Sequence, residues 1–239
     1  MKWRSLLAAA GVALVSASAA QAATIQLVAS ADGTVSDELS ADGSMIKDGI
    51  FETVDATGEF LDIRYNRFEW TTHGIFEFDL AMLPKHAVIT KADFIFRIFA
   101  TGSQPALIDF FAATGDGQIT LNDATDVAAG IGRITLPTGL PALDNEHFVH
   151  LDANDLNGLL NSSSKIMLRA QMNHASGSSI TTVVPLEFGP GHVTLPSLRL
   201  EYEIQPPATV PEPTSLVLLG SALLPLARRL RRGRETARP

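Results

Sequence analysis

The side chains able to do chemistry in this 239-residue chain are carboxylates, six histidines and a few aromatics; cysteine is absent. One acidic stretch is Asp116-Gly117-Gln118-Ile119-Thr120-Leu121-Asn122-Asp123-Ala124-Thr125-Asp126. With Gly117 at the sixth position of an EF-hand-type loop, Asp116 falls at the fifth and Asp123 at the twelfth. Positions one and three are then Ala112 and Thr114, which carry no carboxylate. Calcium takes about six to eight oxygens, so the loop alone falls short. Asp116, Asp123 and Asp126 are therefore candidate Ca2+ ligands, set against a plainer reading as an acidic surface loop leading into a turn over residues 123–130. No other cofactor is expected.

The histidines (His73, His86, His147, His150, His174 and His192) form no H-E-x-x-H pattern. His147 and His150, three apart on a strand, face opposite sides, a poor geometry for one metal. All six read as surface or packing residues. No G-x-S-x-G elbow is present, and the lack of thiols removes Cys nucleophiles and Cys-based zinc sites. No catalytic residue is assigned. A glycosidase needs only two carboxylates about 5–10 Å apart in space, so an enzyme of that kind stays open as the alternative.

Tyr65, Phe68 and Trp70 cluster in Arg64-Tyr65-Asn66-Arg67-Phe68-Glu69-Trp70. Aromatic rings beside polar groups hold sugars by stacking on their apolar faces, so these three are candidate carbohydrate contacts. The competing reading makes them a closing layer of the core, where large aromatics usually lie.

The elements that must position these residues read as β throughout. Leu61-Asp62-Ile63-Arg64-Tyr65 alternates apolar and polar, as a half-buried strand does. Residues 74–80 hold Ile75, Phe76 and Phe78 and break at Met82-Leu83-Pro84; Phe76 and Phe78 point one way, Ile75 and Glu77 the other. Asp79, where that strand ends, reads as a turn-maker accepting backbone N–H bonds. Phe94-Ile95-Phe96-Arg97-Ile98-Phe99 is the densest aromatic and β-branched run and predicts a central strand. Residues 107–111, 148–151, 166–172, 180–186 and 198–204 supply further strands, spaced by turn residues as in a sandwich or barrel. Residues 153–160 are the main helical candidate, weakened by Asn154, Asp155 and Gly158.

Gly74-Ile75-Phe76-Glu77-Phe78-Asp79-Leu80, then Leu83-Pro84, then Ala87-Val88-Ile89-Thr90-Lys91-Ala92-Asp93-Phe94 resembles the core of DNRLRE-type domains. His147 to Asp152, Ile166 to Arg169 and Pro196 to Tyr202 resemble the same family. The Arg that often opens its Phe-Asp-Leu strand is replaced here by Thr72 or His73. The resemblance implies a single jelly-roll β-sandwich of an extracellular protein, related to carbohydrate-binding modules.

The two ends carry a different kind of signal. Residues 1–22 begin with Lys2 and Arg4, run apolar over residues 6–15 and end in Ala20-Gln21-Ala22, the three parts of a signal peptide. The apolar run is well short of the ~20 residues of a spanning helix. Signal peptidase cleavage is expected after Ala22. At the other end, Val210-Pro211-Glu212-Pro213 precedes an apolar run over residues 216–227 and a basic cluster of Arg228, Arg229, Arg231, Arg232 and Arg234. Such a run is a marginal membrane span whose arginines stay cytoplasmic. These features resemble the PEP-CTERM sorting signal of Gram-negative bacteria, although Glu235 to Pro239 extend past the arginines. The resemblance implies an exosortase, a membrane protease-transpeptidase, that recognises Pro211, Glu212 and Pro213 and removes the tail. It also implies an exopolysaccharide-producing, biofilm-forming source. The expected organisation is a signal helix over 1–22, a β-sandwich over 23–205, a Pro-rich linker over 206–213, and a hydrophobic sorting helix with basic tail over 214–239.

Residues 23–210 hold 24 acidic and 10 basic side chains. The whole-chain net charge of −8 therefore conceals a far more acidic middle. Such a surface repels nucleic acid and anionic lipid, and fits neutral partners, cationic partners, or anionic ones bridged by a divalent cation. Two function classes follow. The first is an exported, non-enzymatic surface or matrix protein that passes through the inner membrane and whose domain binds exopolysaccharide or another protein, or acts as a spacer. The second is a secreted carbohydrate-active enzyme using paired carboxylates on the sandwich face.

Overall fold

A computed structural model describes residues 22–38, 47–56, 61–66, 69–102, 104–126, 128–140, 146–173, 179–183 and 195–205. The signal sequence, the Pro-Glu-Pro motif, the sorting helix with its arginines, Phe68, His174 and His192 all lie outside these residues. Among the described residues no helix is long and apolar enough to cross a membrane.

The chain is all-β. Its strands are β1 (Ala22–Val28), β2 (Ala31–Glu38), β3 (Thr53–Asp55), β4 (Leu61–Asn66), β5 (Trp70–Asp79), β6 (Ala87–Phe96) and β7 (Ile98–Thr101). They continue with β8 (Ala106–Thr114), β9 (Ala129–Leu136), β10 (His147–Leu151), β11 (Lys165–Met172), β12 (Ser179–Val183) and β13 (Ser197–Ile204). One antiparallel sheet has the order β1-β13-β6-β10. The other runs β7-β12-β4-β5-β11-β8-β9, with β2 also paired to β5 and β3 to β2.

Alternation along the strands explains how the sheets face each other. Phe94 and Phe96 of β6 meet Phe76 and Phe78 of β5 and Phe110 of β8 in one buried cluster. Phe94 is its centre: its ring lies 4.8 Å from Phe76, 5.2 Å from Phe96, 5.5 Å from Phe110 and 6.2 Å from Phe78. Offset and edge-on aromatic pairs add to area burial, which makes this cluster the main join between sheets.

The expected strand over Phe94–Phe99 is split. Backbone pairing passes from one sheet to the other at Arg97, so β6 and β7 are two halves of one bent run. A second switch lies between β1 and β2. The Ala29 N–H donates to the Pro196 carbonyl at 2.9 Å, and the next N–H, of Ser30, donates to Glu77 of the other sheet at 2.7 Å. Strands that change sheets at a bend make the corners of a sandwich.

β5 is buried on both faces. Its even side faces the aromatic cluster, while Ile75 joins Val35, Ala113, Ala124 and Met167 in a second cluster. A covering layer closes that outer face: Phe51 and Ile119 pack on it, and a 3-10 turn (Leu121–Ala124) sits above. Buried Arg169 of β11 holds this turn by donating to the carbonyls of Asp123 (3.0 Å), Ala124 (2.9 Å) and Asp126 (3.2 Å). The turn expected over residues 123–130 is thus this 3-10 turn running into β9. β2, β3 and β9 escape sequence reading because their burial comes from this layering and from edge pairing, whereas β1 was missed although Ile25 and Leu27 alternate with Thr24 and Gln26 and pack on the core.

The helix α1 (Ala153–Leu160) forms despite its composition. Asp152 caps it by accepting the N–H of Asn154 at 2.7 Å, and the Asn157 amide makes two 2.8 Å bonds to the Ile89 backbone. An N-cap contributes about 1 kcal/mol, and pinning to β6 supplies what local propensity lacks. Asp79 accepts the Ala81 N–H at 2.8 Å, the turn role read from its position.

Prediction: Phe94→Ala lowers unfolding free energy by about 3–5 kcal/mol, because it opens a cavity at the join. Urea denaturation checks this, and a loss below about 1 kcal/mol would place the join elsewhere.

Candidate functional site

Backbone register brings Tyr65 and Trp70, two of the three predicted aromatics, to one end of the larger sheet. Trp70 of β5 stands between Glu38 of β2 and Asn66 of β4. In the adjacent row, Thr71 stands between Asp37 and Tyr65. Tyr65 and Trp70 are both half-buried, so each lends part of its surface to the core and part to solvent. The Tyr65 ring is not open on every side: the Lys47 ammonium lies 4.7 Å from its centroid and also donates to the Asn66 carbonyl. Burial pulls the Lys47 pKa down, and the Asp37 charge opposes that.

Three carboxylates gather beside this cation. One oxygen each from Asp37, Asp48 and Glu52 lies within 4.8 Å of the others. Asp37 is 1% exposed; its Oδ2 accepts the Gly49 N–H at 2.9 Å, while its Oδ1 is buried with no hydrogen-bond donor among the described residues. Asp48 is exposed and its Oδ1 accepts the Ile50 N–H at 2.9 Å. Between them Gly49 has φ +93°, a left-handed value that glycine adopts without penalty. Desolvation pushes the Glu52 carboxyl up, and the Asp37 and Asp48 charges add to it. Sequence reading missed this trio, because its members come from a strand and from a loop that no motif links. The Asp48-Gly49 turn followed by Glu52 was the available signal.

The Asp116, Asp123 and Asp126 loop spends its oxygens locally. Asp116 Oδ1 accepts the Gln118 N–H at 2.7 Å. Asp123 Oδ2 accepts the N–H and the hydroxyl of Thr120, at 2.6 and 3.3 Å. Asp126 contributes its carbonyl to Arg169. Beneath the loop lies Glu77, fully buried on the outer face of β5. Its pKa is raised to about 7, first by burial and then by the Asp123 and Asp116 charges, against a 3.3 Å hydrogen bond from the Gly117 N–H. Lys165 donates to the Asp116 carbonyl at 2.9 Å and closes the same loop. Gly115 permits this packing, since a Cβ there would stand 2.0 Å from the Glu77 Oε2.

On the smaller sheet His150, Asp93 and Arg199 stand abreast on β10, β6 and β13. Asp93 accepts from His150 and, at 2.7 Å, from Arg199, with Lys91 3.4 Å away. Burial raises the Asp93 pKa, but Arg199, His150 and Lys91 outweigh it and hold the carboxyl below its ordinary range. This is an ion ladder across three strands. Two cavities bear on the paired-carboxylate alternative. One, about 340 Å3, is lined by residues of the β5–β6 turn and the end of α1 and contains no carboxylate. The other, about 410 Å3, is lined by Asp109, Arg133 and backbone-rich segments of β8 and β9, and contains one.

A scan against protein-family models gives no match, and no curated protein is significantly similar to the chain.

Prediction: Glu77 makes stability pH-dependent. Its folded pKa of about 7 exceeds the ordinary 4.5, so its contribution is present at low pH and is lost as pH rises from about 4.5 to about 7. Glu77→Gln flattens that slope and, at pH 8, stabilises relative to the parent by on the order of 3 kcal/mol. Denaturant titrations of both proteins at pH 5 and pH 8 measure the difference. Parallel pH profiles would show that Glu77 titrates normally.

Proposed function

We propose that this chain is an exported, non-enzymatic protein of the cell surface or extracellular matrix of a Gram-negative bacterium. The observation that carries the reading is the ordered C-terminal series of Pro211-Glu212-Pro213, apolar run and arginine cluster, placed behind a signal-peptide pattern at the N-terminus. In this reading signal peptidase releases the N-terminus, arginines 228–234 retain the tail at the inner membrane, and an exosortase-type protease cuts at the Pro-Glu-Pro motif. The domain then delivered is a jelly-roll-type sandwich. Two antiparallel sheets with strands that cross between them, and the DNRLRE-like segments, support that finer assignment.

The delivered domain contacts exopolysaccharide through Tyr65 or Trp70, which stand in neighbouring rows of β4 and β5 and therefore face opposite sides of the sheet. Both are half-exposed beside Asn66, whose side-chain amide pairs with Glu69 at 3.2 Å. A partly exposed ring with adjacent amide and carboxylate groups suits a neutral sugar.

Prediction: the protein recovered from cells and medium has an intact mass that starts at Ala23 and stops near Pro211, and Glu212→Ala leaves residues 216–234 attached. An unmodified mass from both proteins would make the tail a lasting anchor and overturn the sorting proposal. Incubation with the producer's exopolysaccharide separates the two function classes: retention without cleavage supports binding, and released reducing ends would establish an enzyme.

A further inference from the structure

We propose that Asp37, Asp48 and Glu52 form a calcium site that ties residues 47–52 to β2. Three carboxylate oxygens within 4.8 Å of one another repel strongly unless a cation stands among them. Proximity of acids alone would say little, but Asp37 adds an independent observation. Its side chain is 1% exposed, and Oδ1 has no donor among the described residues while Oδ2 is satisfied by Gly49. A buried, unpaired carboxylate oxygen is costly, and the missing partner must be a donor or a metal.

The neighbouring cation does not fill that role. Lys47 lies close enough to feel the Asp37 charge, yet its ammonium is directed to the Tyr65 ring and the Asn66 carbonyl. Three carboxylates and one ammonium sum to a local charge of −2, which one divalent ion neutralises. The ligand set is oxygen only, with no His in the trio and no Cys in the chain. This excludes a site built for zinc or copper and selects a hard ion. Calcium fits better than magnesium, because an irregular trio from a strand and a turn, completed by water, suits calcium's flexible coordination and not a near-ideal octahedron.

Binding would have a structural consequence. Asp37 sits in β2, whereas Asp48 and Glu52 flank Phe51, whose ring packs 4.7 Å from His73 on the outer face of β5. The ion would fasten this part of the covering layer. It would also set Lys47, and through it the face that Tyr65 presents. An exported protein meets calcium at concentrations where a site of about 10⁻⁴–10⁻³ M affinity is loaded.

The test is calorimetric titration of the purified, EDTA-stripped full chain with CaCl2, in parallel with thermal melts. One site per chain and a Tm that rises with CaCl2 are expected. Asp48→Asn and Glu52→Gln, both at the edge of the cluster and able to fold, are each expected to weaken calcium about tenfold or more. Asp37→Asn abolishes binding, and a folded variant with a higher calcium-free Tm would further support relief of the buried charge. No heat and no Tm shift up to millimolar CaCl2 would overturn the proposal. So would binding that survives Asp48→Asn and Glu52→Gln but is lost in Asp116→Asn or Asp123→Asn. Equal affinity for MgCl2 would overturn the assignment to calcium.

Discussion

The aromatic contact centred on Phe94 joins the two sheets within one buried cluster, which also takes Leu198 and Leu200 from the smaller sheet and Leu61, Ile63 and Leu168 from the larger. Phe94 comes from the smaller sheet, and the rings it meets at Phe76, Phe78 and Phe110 come from the larger one. Without cysteine, the domain has no covalent staple, and burial of this kind has to offset the entropy of ordering a long chain. The sheet-switching bends at Ala29-Ser30 and Arg97 depend on it too, since each carries one chain segment across the interface that the rings hold closed.

A second constraint follows from β5 having both faces buried. Most strands of an antiparallel sandwich leave one face to water. Here the outer face is covered by residues around Phe51, by Ile119 and by the 3-10 turn that Arg169 anchors. This cover sets Phe51 and Ile119 among polar neighbours, and it traps ionisable groups. Glu77, Arg169 and Asp37 are all buried beneath or beside it. Burial shifts Glu77 up and Arg169 down, each away from its charged form. The covering layer therefore couples stability to pH at one end and presents a carboxylate trio at the other.

The candidate surfaces lie where that layer meets the end of the larger sheet. Asp37, Thr71 and Tyr65 share one row across three strands, so a change at the trio reaches the ring through Lys47 within a few ångströms. Phe68 was read with Tyr65 and Trp70, and lies outside the described residues. The Asp116, Asp123 and Asp126 loop, read as half of a calcium site, uses two of its three side chains to shape its own backbone.

The sequence by itself determined the β character of the described residues, the cores of β4, β5, β8, β10, β11, β12 and β13, and the position of helix α1. Period-two alternation and turn residues are local properties, and they survive in strands such as Leu61–Asn66 and Ile166–Met172. Asp79 was legible for the same reason, because a turn carboxylate acts on its near neighbours. Only the tertiary structure decided that the run through Phe99 is split between sheets, since a bend at Arg97 answers to what each half packs against. It alone revealed β2 as a buried strand, for Asp32, Thr34, Ser36 and Asp37 are covered by residues distant in the chain. The carboxylate trio belongs to the same class. Asp37 and Glu52 become neighbours only when β2 pairs with β3 and the loop folds back, and no spacing in a linear sequence encodes that closure.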